Sequence, residues 1–420
     1  MAAFALPDVT EMFRRLNGRS CVAFLDGRAG LSRAPWSHLA WDPVRRLRID
    51  ADARVRIDDV RRPAVDPLRA IDEFLEAEGS AGRTVIGALS YDLGRLIEPR
   101  AATGRRGTLP LVALDSFGHV LGFDHRHGTW SSPPPEIAAA AAPTCSVGVP
   151  RALTDRATYT RRFERAQQWI SAGDVYQVNL AILFEAKFRG EPVAFYQRLA
   201  ARNPAAYGAY LDFGEFQVVS NSPELFLERR DSSIATRPIK GTRPRGGCPL
   251  EDEQLREELR RDPKERAEHV MIVDLERSDL GRIAELGSVR VEEFETVETY
   301  PTLHHLESRV SGRLRPGLRF SDILRATFPG GSITGAPKIR AMQIIGELEV
   351  ASREYFTGAI LYYPPNGAFT MNLAIRTAVI AGGRIRYWAG GGLVHDSVAE
   401  REYRECLLKA RPFLASAAVP

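Results

Sequence analysis

Two pairs of carboxylates have the spacing of a ligand set. Glu265 and Glu268 stand three apart in a stretch of helical periodicity, and Glu402 and Glu405 repeat the spacing near the C-terminus. Side chains three apart on a helix point the same way. Two such faces brought together would present hard oxygen ligands suited to Mg²⁺. Either pair alone is more often a solvated helix face, and spacing does not show that the two helices meet.

Three further segments carry chemistry. Pro238-Ile239-Lys240-Gly241-Thr242-Arg243-Pro244-Arg245-Gly246-Gly247 reads as an irregular loop with a primary amine at its start. Glycines there would let main chain approach a ligand closely, beside a potential nucleophile; a surface turn with solvated cations is the bland alternative. Phe328 to Lys338 runs through Gly330, Gly331, Ser332 and Gly335 into an expected helix from Ile339 to Leu348. Free N–H groups at a helix start favour an anion, here a carboxylate. The phosphate-loop spacing fails, because Ala336 and Pro337 intervene before Lys338, so nucleotide binding is disfavoured. Trp388 to Val394 reads as a strand ending in Gly390, Gly391 and Gly392, either a close backbone approach or a bulge. Arg376 sits in an apolar run and needs a carboxylate partner or a ligand.

Lysine usage sharpens the reading. The chain has 57 basic residues, yet only Lys187, Lys240, Lys264, Lys338 and Lys409 are lysines. A lysine retained among so many arginines either survives by chance or is needed as an amine, since its pKa can be lowered and that of arginine cannot.

The elements that must position these groups follow from composition and periodicity. At 420 residues, 44% hydrophobic and 26% charged, the chain is globular and long enough for a large core. A net charge of +4 gives no basic patch, so no nucleic-acid partner is expected. No apolar stretch suits a membrane span or a secretory leader, and Cys21, Cys145, Cys248 and Cys406 lie far apart. The expectation is a reduced, cytoplasmic protein away from membranes. Strands are expected at 21–25 and 84–91, within a strand-rich region 1–127. A Pro- and Ala-rich connection, 128–152, follows it. Residues 153–420 form the expected catalytic region, with helices at 158–173 and 251–283, the latter broken near Pro263. Strands are expected at 175–183, 356–363, 370–380 and 384–389, and a last helix at 400–414. Grouped strands with helices between them favour α+β.

From Tyr159 to Leu414 the sequence resembles the chorismate-utilising enzymes, a family that includes component I of the anthranilate and aminodeoxychorismate synthases. The resemblance rests on several long motifs in one order. They include Gly173-Asp174-Val175-Tyr176-Gln177-Val178-Asn179-Leu180, Ser222-Pro223-Glu224-Leu225-Phe226, the Lys240 segment, Ala267-Glu268-His269 through Arg282, His304-His305-Leu306, the Ser332 segment, Ile375-Arg376-Thr377 and Ala389-Gly390-Gly391-Gly392. It implies an α+β fold of two packed antiparallel sheets flanked by helices, in four layers α/β/β/α. It implies Mg²⁺ on Glu268 and Glu405, with Glu265 and Glu402 as additional ligands. Substrate contacts would come from Gln177, Thr242, Ser332, Arg376, Gly391 and Gly392. Glu224 would be the general acid, His305 the active-site histidine and Lys240 the nucleophile.

Isochorismate and salicylate synthases carry Lys where this chain has Gln177, which disfavours water addition. Anthranilate synthases read P-I-A-G-T where this chain reads Pro238-Ile239-Lys240-Gly241-Thr242, which favours the aminodeoxychorismate branch, leading to 4-aminobenzoate and folate. Ammonia is then expected from a separate glutamine amidotransferase subunit. The stretch matching the family's tryptophan-inhibition motif reads Phe24-Leu25-Asp26-Gly27, which puts that inhibition in question. Phe356 replaces a tyrosine usual after Arg353, leaving one substrate hydrogen bond missing or supplied by Tyr355.

Overall fold

The computed structural model describes residues 8–27, 35–138, 141–300 and 303–418. Two antiparallel sheets dominate it, each of twelve strands among the described residues. The first sheet runs from Cys145–Val147 through Gln177–Gly190, Arg384–Leu393, Thr377–Ala381, Phe216–Ser222, Tyr207–Asp212, Ala23–Asp26, Trp36–Ala40 and Leu121–Asp124 to Thr129–Trp130. The second runs from Ile239–Pro244 through Leu303–Arg313, Ser233–Arg237, Leu225–Arg230, Phe369–Leu373, Ala359–Tyr363, Thr84–Leu89, Val112–Phe117 and Arg45–Ile49 to Val55–Ile57 and Val60–Arg62.

Period-2 patterning builds the layers. In Gln177–Gly190 the even positions Val178, Leu180, Ile182, Phe184, Ala186 and Phe188 join one core with helices Arg156–Ser171, Pro192–Arg202, Lys338–Leu348 and Ala399–Ala417. A second core joins the other sheet to helices Pro67–Ser80, Pro263–Gly281 and Phe320–Thr327. Between the sheets, Ala23, Ala40, Ala209, Leu211 and Val218 meet Ile86, Ala88, Ala113, Phe117 and Ile360. The layers are therefore helix, sheet, sheet, helix, as the family resemblance implied.

The 251–283 periodicity is two helices, Pro249–Arg261 and Pro263–Gly281, broken where expected: Asp262 caps the second through the N–H groups of Lys264 and Glu265 while Pro263 occupies its first turn. Other local expectations shift. The run 370–380 is not one strand. Phe369–Leu373 belongs to the second sheet and Thr377–Ala381 to the first, and Arg376 between them takes a left-handed φ of 52° that no continuous strand allows. Arg376 therefore stands at a crossing between sheets, not within a strand. The three glycines do not end their strand, which continues to Leu393.

The strand-rich region 1–127 is divided between both sheets. Ala23–Asp26 pairs with Tyr207–Asp212, and Thr84–Leu89 pairs with Ala359–Tyr363. The connection 128–152 contributes the short edge strands Thr129–Trp130, Cys145–Val147 and Arg151–Ala152; its residues 139 and 140 lie outside the described set. No described helix is long and apolar enough to cross a membrane.

Candidate active site

The chain crosses between the sheets at Ser222–Leu225 and again at Leu373–Thr377, and the two crossings lie side by side. Leu373 N–H donates to Glu224 O at 3.0 Å, and Asn221 N–H donates to Arg376 O at 3.1 Å. Glu224 is buried, and Ser332 Oγ donates to its Oε1 at 2.8 Å. Burial pushes the Glu224 carboxyl up to about 7, against the opposing pulls of the Ser332 hydroxyl and the Lys240 charge. A carboxyl so placed carries a proton near neutral pH and can deliver it. The Arg376 guanidinium has no ion-pair or hydrogen-bond partner among the described residues, although the charge of Glu224 reaches it. A partnerless guanidinium in a protein interior is a receptor for an anion.

Lys240 does not lie in a loop. It sits on Ile239–Pro244, an edge strand of the second sheet paired to Leu303–Arg313. The register shifts at Gly241, where φ is 73° and a Cβ would stand 2.7 Å from Leu259 Cδ1, so glycine is required. The shift brings Thr242 opposite His305, with Thr242 Oγ1 2.9 Å from Nδ1 of the ring. The Gly241 carbonyl lies 3.5 Å from the same nitrogen. Burial and the Arg376 charge hold this imidazole down at about 3, so it is neutral at physiological pH. The Lys240 ammonium reaches Glu224, His269 and Glu405 electrostatically without an ion pair to any of them.

The charges on the two carboxylate helices reach one another. Burial first, then the charges of Glu268 and, more weakly, Glu405, raise Glu265; burial and the Glu405 charge raise Glu402, against a hydrogen bond from Ser397 Oγ at 2.8 Å. Among the described residues no three acidic, histidine or cysteine side chains are grouped closely enough to hold an ion as they stand. Lys409 Nζ lies 2.7 Å from Glu405 Oε1 instead, and Lys264 Nζ 3.8 Å from Glu268 Oε1. The donor set fits a hard divalent cation: four carboxylates from two helices whose mutual repulsion a cation would relieve.

Gly391 and Gly392 turn to opposite faces of their strand. A Cβ on Gly391 would stand 3.4 Å from Glu402 and 3.5 Å from Glu405, whereas one on Gly392 would stand 2.9 Å from Cδ of Gln177. Gln177 is fully buried, and neither its amide oxygen nor its nitrogen has a partner. A buried amide with both polar atoms unmatched is free to hydrogen-bond a ligand. All the residues expected at the site are thus drawn into one region, linked by contacts or by charge.

Sequence reasoning missed the residues behind them. Arg353 is 2% exposed and fastens three site segments together. It pairs with Glu349 at 2.9 and 2.7 Å, and donates to Ile333 O at 3.2 Å, Thr357 Oγ1 at 3.3 Å and Asn179 at 3.2 and 3.1 Å. Lys338, one of the five retained lysines, holds Asp279 at 2.5 Å and the Thr327 carbonyl at 2.8 Å. The Arg-x-x spacing after Leu348 was the available signal for the first; nothing in the sequence pairs Lys338 with Asp279. Tyr355 supplies no substrate contact: its hydroxyl donates to Pro110 O at 2.9 Å and its ring stacks on Phe216. Phe356 stacks on Trp388 in an apolar cluster. A further cavity of about 620 Å³ is lined by Glu11, Arg14, Asp26 and Asn221 among others, and Tyr196 donates to Asp26 at 2.8 Å within that wall.

This chain belongs to the chorismate-binding enzymes, whose family model matches residues 21–415. It is 41% identical over 342 residues to aminodeoxychorismate synthase component 1 of Klebsiella aerogenes, covering 78% of this chain and 76% of that protein. It is 34% identical to an anthranilate synthase component 1 of Haloarcula marismortui, covering 99% and 90%. Among solved structures, anthranilate synthase component I of Streptococcus pneumoniae superposes with a TM-score of 0.79 at 30% identity, covering 91% and 92%.

Proposed function

We propose that the protein is component I of an aminodeoxychorismate synthase, converting chorismate and ammonia to 4-amino-4-deoxychorismate and water. The observation that carries this reading is Lys240: a primary amine with no ion-pair partner, placed within electrostatic reach of the proton-bearing Glu224. In the proposed reaction the Lys240 amine, unprotonated, bonds to ring carbon 2. The ring double bond shifts, the bond from carbon 4 to its hydroxyl breaks, and Glu224 protonates the departing oxygen so that water leaves. Ammonia then adds at carbon 4, the double bond shifts back and the bond to Lys240 breaks. Arg376 and the backbone at Ser332, Gly391 and Gly392 receive the substrate's carboxylates. Gln177 and Thr242 border the ring, and His305 stays neutral as a hydrogen-bonding partner.

Glu268 and Glu405, with Glu265 and Glu402, would hold Mg²⁺, which supplies charge neutralisation for a substrate carboxylate and the departing oxygen. Ammonia would come from a glutamine amidotransferase subunit, in line with the component 1 names of the relatives. Gln177 cannot serve as a base for water, which supports amination over hydration.

Anthranilate synthase component I is the second reading, favoured by the relative that spans 99% of this chain. One assay separates them. Purified protein with chorismate, ammonium and Mg²⁺ is expected to give no fluorescent anthranilate, and to give 4-aminobenzoate only after a lyase is added. Anthranilate formed by the chain alone would overturn the proposal.

A further inference from the structure

Three of the five lysines in this arginine-rich chain converge on one carboxylate. The charges of Lys409, Lys240 and Lys264 all reach Glu405, and those of Lys264 and Lys409 also reach Glu402. Elsewhere most carboxylate pairs are with arginine, as Glu185 with Arg384 and Arg386, Asp50 with Arg56 and Glu349 with Arg353, the buried Lys338–Asp279 pair being an exception. A guanidinium grips a carboxylate through a planar fork, whereas an ammonium is a point charge on a flexible stem that can swing aside. At the glutamates the chain uses the displaceable cation.

We propose that Lys264 and Lys409 are tethered counter-cations that compete with Mg²⁺ for the four glutamates, so that the metal binds by displacing two ammonium groups; this rests on the metal site proposed above.

The geometry supports displacement. Each lysine lies four residues from the glutamate it holds, on that glutamate's own helix: Lys264 Nζ is 3.8 Å from Glu268 Oε1, and Lys409 Nζ is 2.7 Å from Glu405 Oε1. Lys409 Nζ also donates to Gly390 O at 3.1 Å, which parks it at the mouth of the carboxylate set. The lysine side chains are 57% and 42% exposed, so each has solvent to swing into. Gly391 leaves the space between them open, since a Cβ there would meet Glu402, Glu405 and the Lys409 ammonium, all within 4 Å.

The test uses the full chain, freed of metal and without substrate. Mg²⁺ is titrated by calorimetry and Mn²⁺ by the loss of its free-ion magnetic resonance signal. Lys409→Met and Lys264→Met each keep the stem and remove the charge. Each variant should bind both ions about three- to tenfold more tightly than wild type, the range expected for a partly exposed charge pair. Mg²⁺ should also raise the Tm of each variant by more than it raises that of wild type. Lys187→Met removes the same charge at the end of the strand pair remote from Gly392, and should leave the affinity unchanged. Unchanged or weaker binding in folded Lys264→Met or Lys409→Met overturns the inference and leaves the metal site standing. No binding in any variant overturns both. Binding by the variants where wild type shows none would support displacement in its strongest form. Should Lys409→Met fail to fold, Lys264→Met decides alone.

Discussion

Arg353 and Arg376 are two arginines with opposite surroundings. Arg353 has every direction of its guanidinium filled, by Glu349, Asn179, Ile333 and Thr357, and its face lies 4.9 Å from the Tyr91 ring. The Arg376 guanidinium has no partner among the described residues. The same contrast recurs two residues apart on one strand face. Asn179 Oδ1 accepts from Arg353 at 3.1 Å, while both polar atoms of the Gln177 amide are buried and unmatched. Saturated polar groups hold the fold together, whereas the unmatched Arg376 and Gln177 groups are available to a ligand.

The largest effect should come from breaking the saturated member. Arg353→Met leaves the Glu349 carboxylate buried and uncompensated, a loss of about 3–5 kcal/mol, read by chemical denaturation. Arg376→Met removes a cation with no partner and should change stability by less than about 1 kcal/mol. If both variants unfolded alike, the contrast between the two arginines would be gone.

Lys240 sharpens the contrast on the chemical side. Lys240→Arg keeps the charge but offers no neutral amine. Turnover should fall at least ~10²-fold, the scale of a group acting directly in the reaction, with the fold intact by circular dichroism. Chorismate without ammonia should leave a mass adduct on the wild-type peptide containing Lys240. Near-normal turnover in Lys240→Arg would make the lysine an electrostatic contact only. Arg376→Met follows, with KM for chorismate raised about 10- to 100-fold, the range for losing charge-assisted hydrogen bonds. An unchanged KM would mean that the carboxylate binds elsewhere.

Much of this was legible in the residues, and the exceptions share a cause. The glutamate pairs and the Ser332 segment stand out by spacing and glycine chemistry, and grouped strands point to α+β, while the two-sheet core is what the family resemblance implies. The run 370–380 reads as one strand because its apolar pattern is continuous across a change of sheet; the backbone conformation at Arg376 reveals the break. Lys240 was placed in a loop because Pro238, Gly241 and Pro244 signal irregularity, yet an edge strand tolerates such residues, since one side has no neighbour to satisfy. In the Arg353 hub the Glu349 and Thr357 contacts are four residues away and locally spaced, but the links to Ile333 and Asn179 lie 20 and 174 residues off, where no local pattern encodes them.

The smallest expected effect tests the bond between the two crossings and the glycine-rich segment. Glu224 acts as an acid only while protonated, and burial sets its proton affinity at about 7. With free ammonia held constant, turnover should therefore decline as pH rises through about 7, where the proton is lost. The Ser332 hydroxyl donates to Glu224 Oε1 at 2.8 Å, and a donated hydrogen bond favours the ionised carboxylate. Removing it in Ser332→Ala leaves burial less opposed, so the proton is held more firmly and the declining limb should move to higher pH. The rate at the optimum should fall less than tenfold, since one such hydrogen bond contributes about 1 kcal/mol. A purely structural serine would lower stability or raise KM without moving the limb. A limb that stayed in place, or moved to lower pH, would mean that a group other than Glu224 delivers the proton, and that the buried carboxyl belongs with Glu349 on the scaffold side of the comparison.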